Sequence, residues 1–368
     1  MHDRVTSYLF LCQALTNPAD AWRRALDDPP DWDTVLELAE EEMVLPALGV
    51  AARAARVPAA GPAASRLERA ARFGALRNAR IRDQAGEAVA ALNRAGVVPL
   101  LLKGGLRLYQ PGDLAGRFLR DVDLVVRPES FDAALAALRT LGYRPDDEVE
   151  GWTYHFRPLH HRDRLVPIEL HVQVGEQRTF LPPEEAWESA EPVPHADLEM
   201  LALSPTHRVA HNVFHSEIMD RGHSLALVWL RQLLDLADLM RSYPASIDWP
   251  WVATRMGSVG GRAALEARLW LAERLLGATA PGIRDPVLGE RHLRRCMRRV
   301  RRPALRRLAL TWAGSTQSFK RHHIDLVYRS GPGALELNVG RGRQAWRLAR
   351  KHGWGLWSLA WRRGRAFR

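Results

Sequence analysis

The chain has 368 residues, 46% of them hydrophobic and 26% charged, ordinary globular values that exclude a mostly disordered protein. No apolar run approaches the roughly 18–20 residues that cross a bilayer, and the first residues, Met1 to Leu15, lack the apolar length and cleavage site of a secretion signal. With only two cysteines, Cys12 and Cys296, there is no disulfide or cysteine–metal framework, and a cytoplasmic protein is expected.

The formal charge of +11 is unevenly spread. Residues 291–368 hold 21 Lys+Arg against two acids, Asp325 and Glu336, whereas the other 290 residues hold 32 bases and 40 acids. Attraction to an acidic partner is therefore a property of the C-terminal fifth, and the body needs no polyanion.

In chain order, Asp31-Trp32-Asp33 opens a helical pattern of Trp32, Val35, Leu36, Leu38 and Ala39, which Pro46 interrupts or ends. Residues 51–63, rich in Ala, Pro and Gly, suit a connection. A long Ala/Arg-rich helix is predicted from about Ala64 to Arg94, stopping at Gly96. The character then changes. Val97 to Leu102 is a short apolar run between glycines, and Asp121 to Val126 alternates acid and apolar residues; both read as strands. Phe131 to Leu141 is helical and closed by Gly142. Trp152–Arg157 and Val166–Val172 read as two more strands, paired antiparallel. From Asp197 onward helices return: an apolar stripe from Leu225 to Met240, then Trp251–Met256, Arg262–Leu276 and Pro286–Leu310. Arg329–Arg343 reads as a loop before a last basic helix. The expected fold is α+β. Residues 1–95 form a helical region, 96–195 a small mixed-sheet core, 196–328 a helical domain and 329–368 a basic Trp/Arg-rich tail.

Asp121 and Asp123 carry the most chemistry. Side chains at i and i+2 of a strand leave the same face, and two carboxylates so close repel unless a cation stands between them. Mg²⁺ is the usual resolution; solvated acids on an edge strand are the alternative. Three neighbours favour the metal. Lys103-Gly104-Gly105 lies between a predicted strand and a predicted helix, Leu106–Gln110, where backbone N–H groups approach phosphate and Lys103 adds charge. Arg117 and Arg120 precede the acids and suit a triphosphate, or else pair with Asp113, Asp121 or Asp123. Glu169 stands within the apolar run Pro167-Ile168-Glu169-Leu170-His171, where a buried carboxylate needs a partner. These parts describe metal-assisted phosphoryl or nucleotidyl transfer.

The run LLKGGLRLYQPGDLAGRFLRDVDLVVRPESFDAALAALRTLGY, followed by PIELHVQV, resembles the bacterial uncharacterised nucleotidyltransferase family of the DNA polymerase β-like superfamily. Lys103, Gly104, Arg117, Asp121, Asp123, Gly142, Tyr143, Glu169, Leu170 and His171 fall on the family's pattern over residues 97–175. A looser likeness covers Trp32–Leu48 and the helix from Trp229 to Leu236. The resemblance implies a polymerase β-like core that moves a nucleoside monophosphate from an NTP, ATP first among them, to an acceptor hydroxyl or phosphate. Asp121, Asp123 and Glu169 would bind Mg²⁺, with Mn²⁺ as the alternative, and Gly104 and Gly105 would meet the phosphates. The chain departs from the superfamily in having Gly104-Gly105 for Gly-Ser, and Arg120 in place of a small residue before the first aspartate.

Other features are weighed against simpler readings. His207, His211 and His215 repeat at i, i+4 and i+8, which suits a polar helix face toward the cleft better than zinc. His171 shares a strand face with Glu169 and is expected to orient a ligand or the acceptor. Asp235, on an apolar helix, suits pairing with an arginine. In residues 341–368, Trp354, Trp357 and Trp361 form a stripe among arginines that suits core docking, an anionic membrane surface or RNA. The rival function is a non-catalytic nucleotide- or RNA-binding module using that tail.

Overall fold

The computed structural model describes residues 3–55, 62–145, 156–175, 180–195 and 197–317. Contacts divide the chain into two compact units, one of Met1–Asp146 with Tyr154–Pro303 and one of Asp147–Thr153 with Ala304–Arg368. The first unit holds the sheet and nearly all the helices.

Its N-terminal helices are α1 (Arg4–Thr16), α2 (Pro18–Asp27), α3 (Trp32–Glu41), α4 (Leu45–Ala55) and α5 (Pro62–Arg94). The Asp31 side chain caps α3 by accepting from the Thr34 N–H, the expected role of an acid one residue ahead of an apolar stripe. Residues 51–55 and 62–63, expected to be a connection, are helical instead, because alanine runs sustain a helix; residues 56–61 lie outside the described residues. Helix α5 stops where Gly96 takes φ +74°, a left-handed stop open to glycine.

Among the described residues, seven strands then form one mixed sheet in the order β3-β4-β5-β2-β1-β7-β6. They are β1 (Leu100–Leu101), β2 (Val122–Val125), β3 (Arg144–Pro145), β4 (Leu159–His160), β5 (Ile168–His171), β6 (Glu191–Pro192) and β7 (Leu201–Ala202). Strands β2 and β5 are parallel, as are β1 and β7, and the remaining neighbours are antiparallel. The strand expected over 97–102 shortens to two residues. Val97 still closes the preceding helix through Leu92 O, and Pro99, which has no N–H to give, accepts from Leu201 N. The antiparallel neighbour of β5 is β4; of the strand expected at 152–157, residues 152–155 lie outside the described residues, and the Phe156 N–H donates to Leu170 O.

Helix α6 (Lys103–Arg107) follows β1, α7 (Phe131–Thr140) follows β2, and α8 (Pro183–Glu188) precedes β6. The lysine and two glycines therefore form the first turn of α6, not a loop ahead of a helix at 106–110. Beyond the sheet come α9 (Pro205–Val213), a π-turn (Phe214–Met219), α10 (Gly222–Leu225), α11 (Leu230–Ser242), α12 (Trp249–Ser258), α13 (Arg262–Leu276) and α14 (Pro286–Arg301). The stripe read as one helix from Leu225 to Met240 is broken, since Ala226 and Trp229 are left-handed. Leu225, Val228, Leu233, Leu236, Ala237 and Met240 are buried all the same, so their spacing reports burial and not a continuous helix. The helix expected over 286–310 breaks at Arg302, ahead of Pro303, as the residue before a proline resists helical geometry; α15 (Pro303–Gln317) follows. The loop expected at 329–343 and the Trp/Arg tail lie outside the described residues.

One contiguous core joins Leu11, Leu38 and Leu48 of the N-terminal helices to Leu100 and Val125 of the sheet and to Phe214, Leu233 and Leu269 of the later helices. Among the described residues no helix is long and apolar enough to cross a membrane.

Candidate active site

The register of β2 against β5 sets the site. Asp123 is the partner of Glu169, and Val125 of His171. Facing positions on neighbouring strands project together and i, i+2 residues share a face, so Asp123, Glu169 and His171 converge. One ligand atom from each lies within 4.8 Å of the others. Asp121, one residue ahead of β2, lies outside that group and lines the adjoining cavity.

Asp123 is 1% exposed and is held at a single oxygen. Lys103 Nζ donates to Oδ1 at 3.1 Å, and His171 Nε2 lies 3.0 Å from the same atom. Neither contact uses Oδ2. Burial alone would raise this carboxyl, but the Lys103 charge and the His171 hydrogen bond outweigh it and hold it well below the usual carboxylate range. The opposite holds for its neighbours. Burial and then the Asp123 charge push Asp121 up, and burial with the Asp123 and Asp121 charges pushes Glu169 up to about 7. Burial works against the Lys103 cation, yet the charges of Asp123, Asp121 and Glu169 outweigh it and raise its pKa. Burial lowers His171 despite its bond to Asp123, so the ring is neutral near pH 7 and donates through Nε2.

Lys103 takes φ +46°. A left-handed non-glycine residue costs about 1–3 kcal/mol and persists where its surroundings over-determine it. Here the 28% exposed side chain is tied to a buried carboxylate. Gly104 packs against Leu119, to which an added Cβ would come within 3.2 Å.

A cavity of about 600 Å³ opens over these residues. Lys103, Gly104, Arg117, Arg120, Asp121 and Glu169 form one wall; Gly105 is not among the lining residues. Arg208, His211, His215, Asp220, Arg231 and Asp235 come from the helices opposite. Arg117 is committed to Asp235, with Nε 2.9 Å from both carboxylate oxygens and Nη2 2.8 Å from Oδ2. Arg120 is exposed at the cavity edge. His207 turns away to Ser204 Oγ at 2.7 Å and stacks edge-on with Trp251, whereas His211 and His215 reach the cavity. His215 Nδ1 pairs with Asp220 at 3.1 Å, and burial, then the nearby His215, pushes His211 well down.

Arg231 went unnoticed in the sequence. It stands in the first turn of α11, donates Nη1 to Phe118 O at 3.0 Å and lines the cavity. Burial and then the Arg117 charge bring it down to about 10, so it stays cationic at neutral pH. The signal available was an arginine in the first turn of the helix that also carries Asp235.

A divalent oxygen-preferring cation fits this donor set. Asp123 and Glu169 converge with Asp121 beside them on the cavity wall, Asp121 and Glu169 are raised by burial and mutual repulsion, and among the described residues Asp121 makes no ion pair. Hard oxygen donors with this unrelieved charge are what Mg²⁺ takes.

The sequence matches the family described as uncharacterised nucleotidyltransferase over residues 28–277, about two thirds of the chain. Neither the curated proteins nor the solved structures compared with it gave a match. The matched stretch spans β1, β2, β5 and every cavity-lining helix. The chain thus belongs to the uncharacterised nucleotidyltransferase family and is a transferase of α+β fold.

Proposed function

We propose that this protein transfers a nucleoside monophosphate from an NTP, ATP first among them, to an acceptor hydroxyl or phosphate. The observation that carries the reading is the Asp123–Glu169 register pair, with Asp121 beside it on a cavity wall that also bears Lys103, Arg120 and Arg231. Asp121, Asp123 and Glu169 would hold Mg²⁺, or Mn²⁺ in its place. When bound, such an ion offsets triphosphate charge and stabilises the departing pyrophosphate.

The chain's own residues do the rest. Lys103 and His171 keep Asp123 ionised and fixed through Oδ1. Arg231 and Arg120 meet the triphosphate oxygens, and the Gly104 backbone allows their close approach. The acceptor oxygen bonds to the α-phosphorus as the bond from that phosphorus to the bridging oxygen of pyrophosphate breaks. The acceptor's proton passes to the Glu169 carboxylate.

The test is a panel of α-labelled NTPs with Mg²⁺ and cell extract, run with the wild type and the Asp121→Ala/Asp123→Ala variant. Label moved to one fraction by the wild type alone supports the reading and isolates the acceptor. Binding and transfer indifferent to the two substitutions would overturn it.

A further inference from the structure

The helical wall of the cavity carries a cation that no described residue matches. Arg208 of α9 lines the cavity and is half-buried. Among the described residues it makes no ion pair, and its Nε and Nη2 are buried without a hydrogen-bond partner. The other cavity arginines are accounted for. Arg117 pairs with Asp235, Arg107 with Asp238, and Arg231 donates to Phe118 O, while Arg120 is exposed to water. We propose that Arg208 anchors a carboxylate or phosphate group of the acceptor, so that the second substrate is itself an anion. The word acceptor rests on the transfer reading above; the anion site does not.

The guanidinium is held in place with its binding edge unused. Its Cζ lies 4.6 Å from the centre of the Tyr243 ring, another cavity residue. An aromatic face stabilises the cation but takes none of its N–H groups. The edge that bears Nε and Nη2 is the one that grips a carboxylate or phosphate through two parallel hydrogen bonds. No acid of α11 is spare to fill it. Asp235 is taken by Arg117, and the two oxygens of Asp238 are taken by Arg107 at 3.2 Å and Arg241 at 3.6 Å.

Position separates this site from the triphosphate. Arg231 stands in the first turn of α11 and Tyr243 just past its end, so about 18 Å of helix lies between them. An NTP carries its charge at one end. With the triphosphate at the carboxylates and Arg231, an anion at the Tyr243 end has to come from the other substrate. Two amide side chains occupy the interval. Asn212, one turn along α9 from Arg208, donates Nδ2 to Gln232 O at 3.0 Å, and Asn212 Oδ1 and Gln232 Oε1 remain without partners. Such oxygens suit N–H or O–H groups, which describes a hydroxy or amino acid, or a phosphate ester of similar polarity.

The test loads the full chain with Mg²⁺ and α,β-methylene ATP, whose carbon bridge blocks transfer. Acetate and inorganic phosphate are then titrated at constant ionic strength, with melting temperature as the readout. Acetate stands for a carboxylate and inorganic phosphate for a phosphate ester, and one of them should bind saturably. Arg208→Met should weaken that binding at least about tenfold, and Arg208→Lys, which keeps the charge without the fork, by less. Arg120→Met should leave it unchanged, and NTP affinity should move less than about threefold in Arg208→Met. In the labelled-NTP assay, esterifying the extract's carboxyl groups or treating it with phosphatase should abolish transfer, in agreement with the anion that titrates. Arg208→Lys decides the matter if Arg208→Met fails to fold. No saturable anion in the wild type, unchanged anion affinity in a folded Arg208 variant, or an NTP loss in Arg208→Met equal to that of Arg231→Met would overturn the proposal. Anion binding that depends on Arg208 in a protein that transfers no label would instead overturn the transfer reading and leave the site standing.

Discussion

Asp123 and Glu169 are register partners in adjacent parallel strands, yet their surroundings drive the two carboxyl groups in opposite directions. Lys103 and His171 hold the first ionised, and that fixed charge helps keep a proton on the second up to about pH 7. Pairs of acids pushed apart in this way divide the work of a site.

A pH dependence follows from that division. A cation entering the site must displace the Glu169 proton below about pH 7 and need not do so above. Divalent-metal affinity should therefore rise about tenfold per pH unit up to neutrality and then flatten, as expected for release of one proton. Calorimetry in buffers of different ionisation heat measures the proton released, and Glu169→Gln should abolish both the slope and the release.

Arg231 is expected to matter more for the nucleotide than Arg120, although Arg120 lies next to the first aspartate. Arg231 is largely buried and already oriented by Phe118 O, while Arg120 is exposed. Arg231→Met should weaken NTP binding by about 10–100-fold, the worth of one charge-assisted hydrogen bond lost from a desolvated site. Arg120→Met should cost only a few-fold, and fluorescent-nucleotide titration separates the two.

Arg117 should register in stability. Its three contacts to Asp235 join the loop before β2 to α11, with side chains 12% and 19% exposed. Arg117→Met strands a mostly buried carboxylate, at an expected cost of about 2–3 kcal/mol. Arg117→Met/Asp235→Leu should lose less than the single variant. Urea unfolding followed by tryptophan fluorescence checks both.

Gly49 tests the packing of α4 on α5. An added Cβ would stand 2.3 Å from Leu67 O, a backbone atom that cannot swing aside, and 3.0 Å from Ala71 Cβ. Gly49→Ala should destabilise the protein by about 1–3 kcal/mol, the usual range for overpacking, despite alanine's better helix propensity. Thermal unfolding reads the loss.

Much of this arrangement was legible in the sequence because it is local. The alternation around Asp121–Val126, the acid in Pro167–His171 and the glycine stops at 96 and 142 depend on neighbours in the chain. The pairing of β2 with β5 joins residues more than forty positions apart, so the meeting of Asp123 with Glu169 was legible as chemistry and not as register. Arg117 and Asp235 each looked like half of an ion pair, but 118 residues separate them and nothing local named the partner. The left-handed turns at Ala226 and Trp229 left no trace, since neither residue type favours that conformation and tertiary contacts impose it. Arg231 was hidden for a similar reason: an arginine at the start of a helix is common, and only the folded chain turns this one into the cavity.

Strand β7 gives the protein a particular kind of indivisibility. Leu201 and Ala202 lie between β1 and the edge strand β6, and within a few residues the chain enters α9. The seam between the carboxylate half and the opposing helical half is thus itself a β-ladder. Removing β7 would take β6 with it and expose the edge of β1, the element that leads into Lys103.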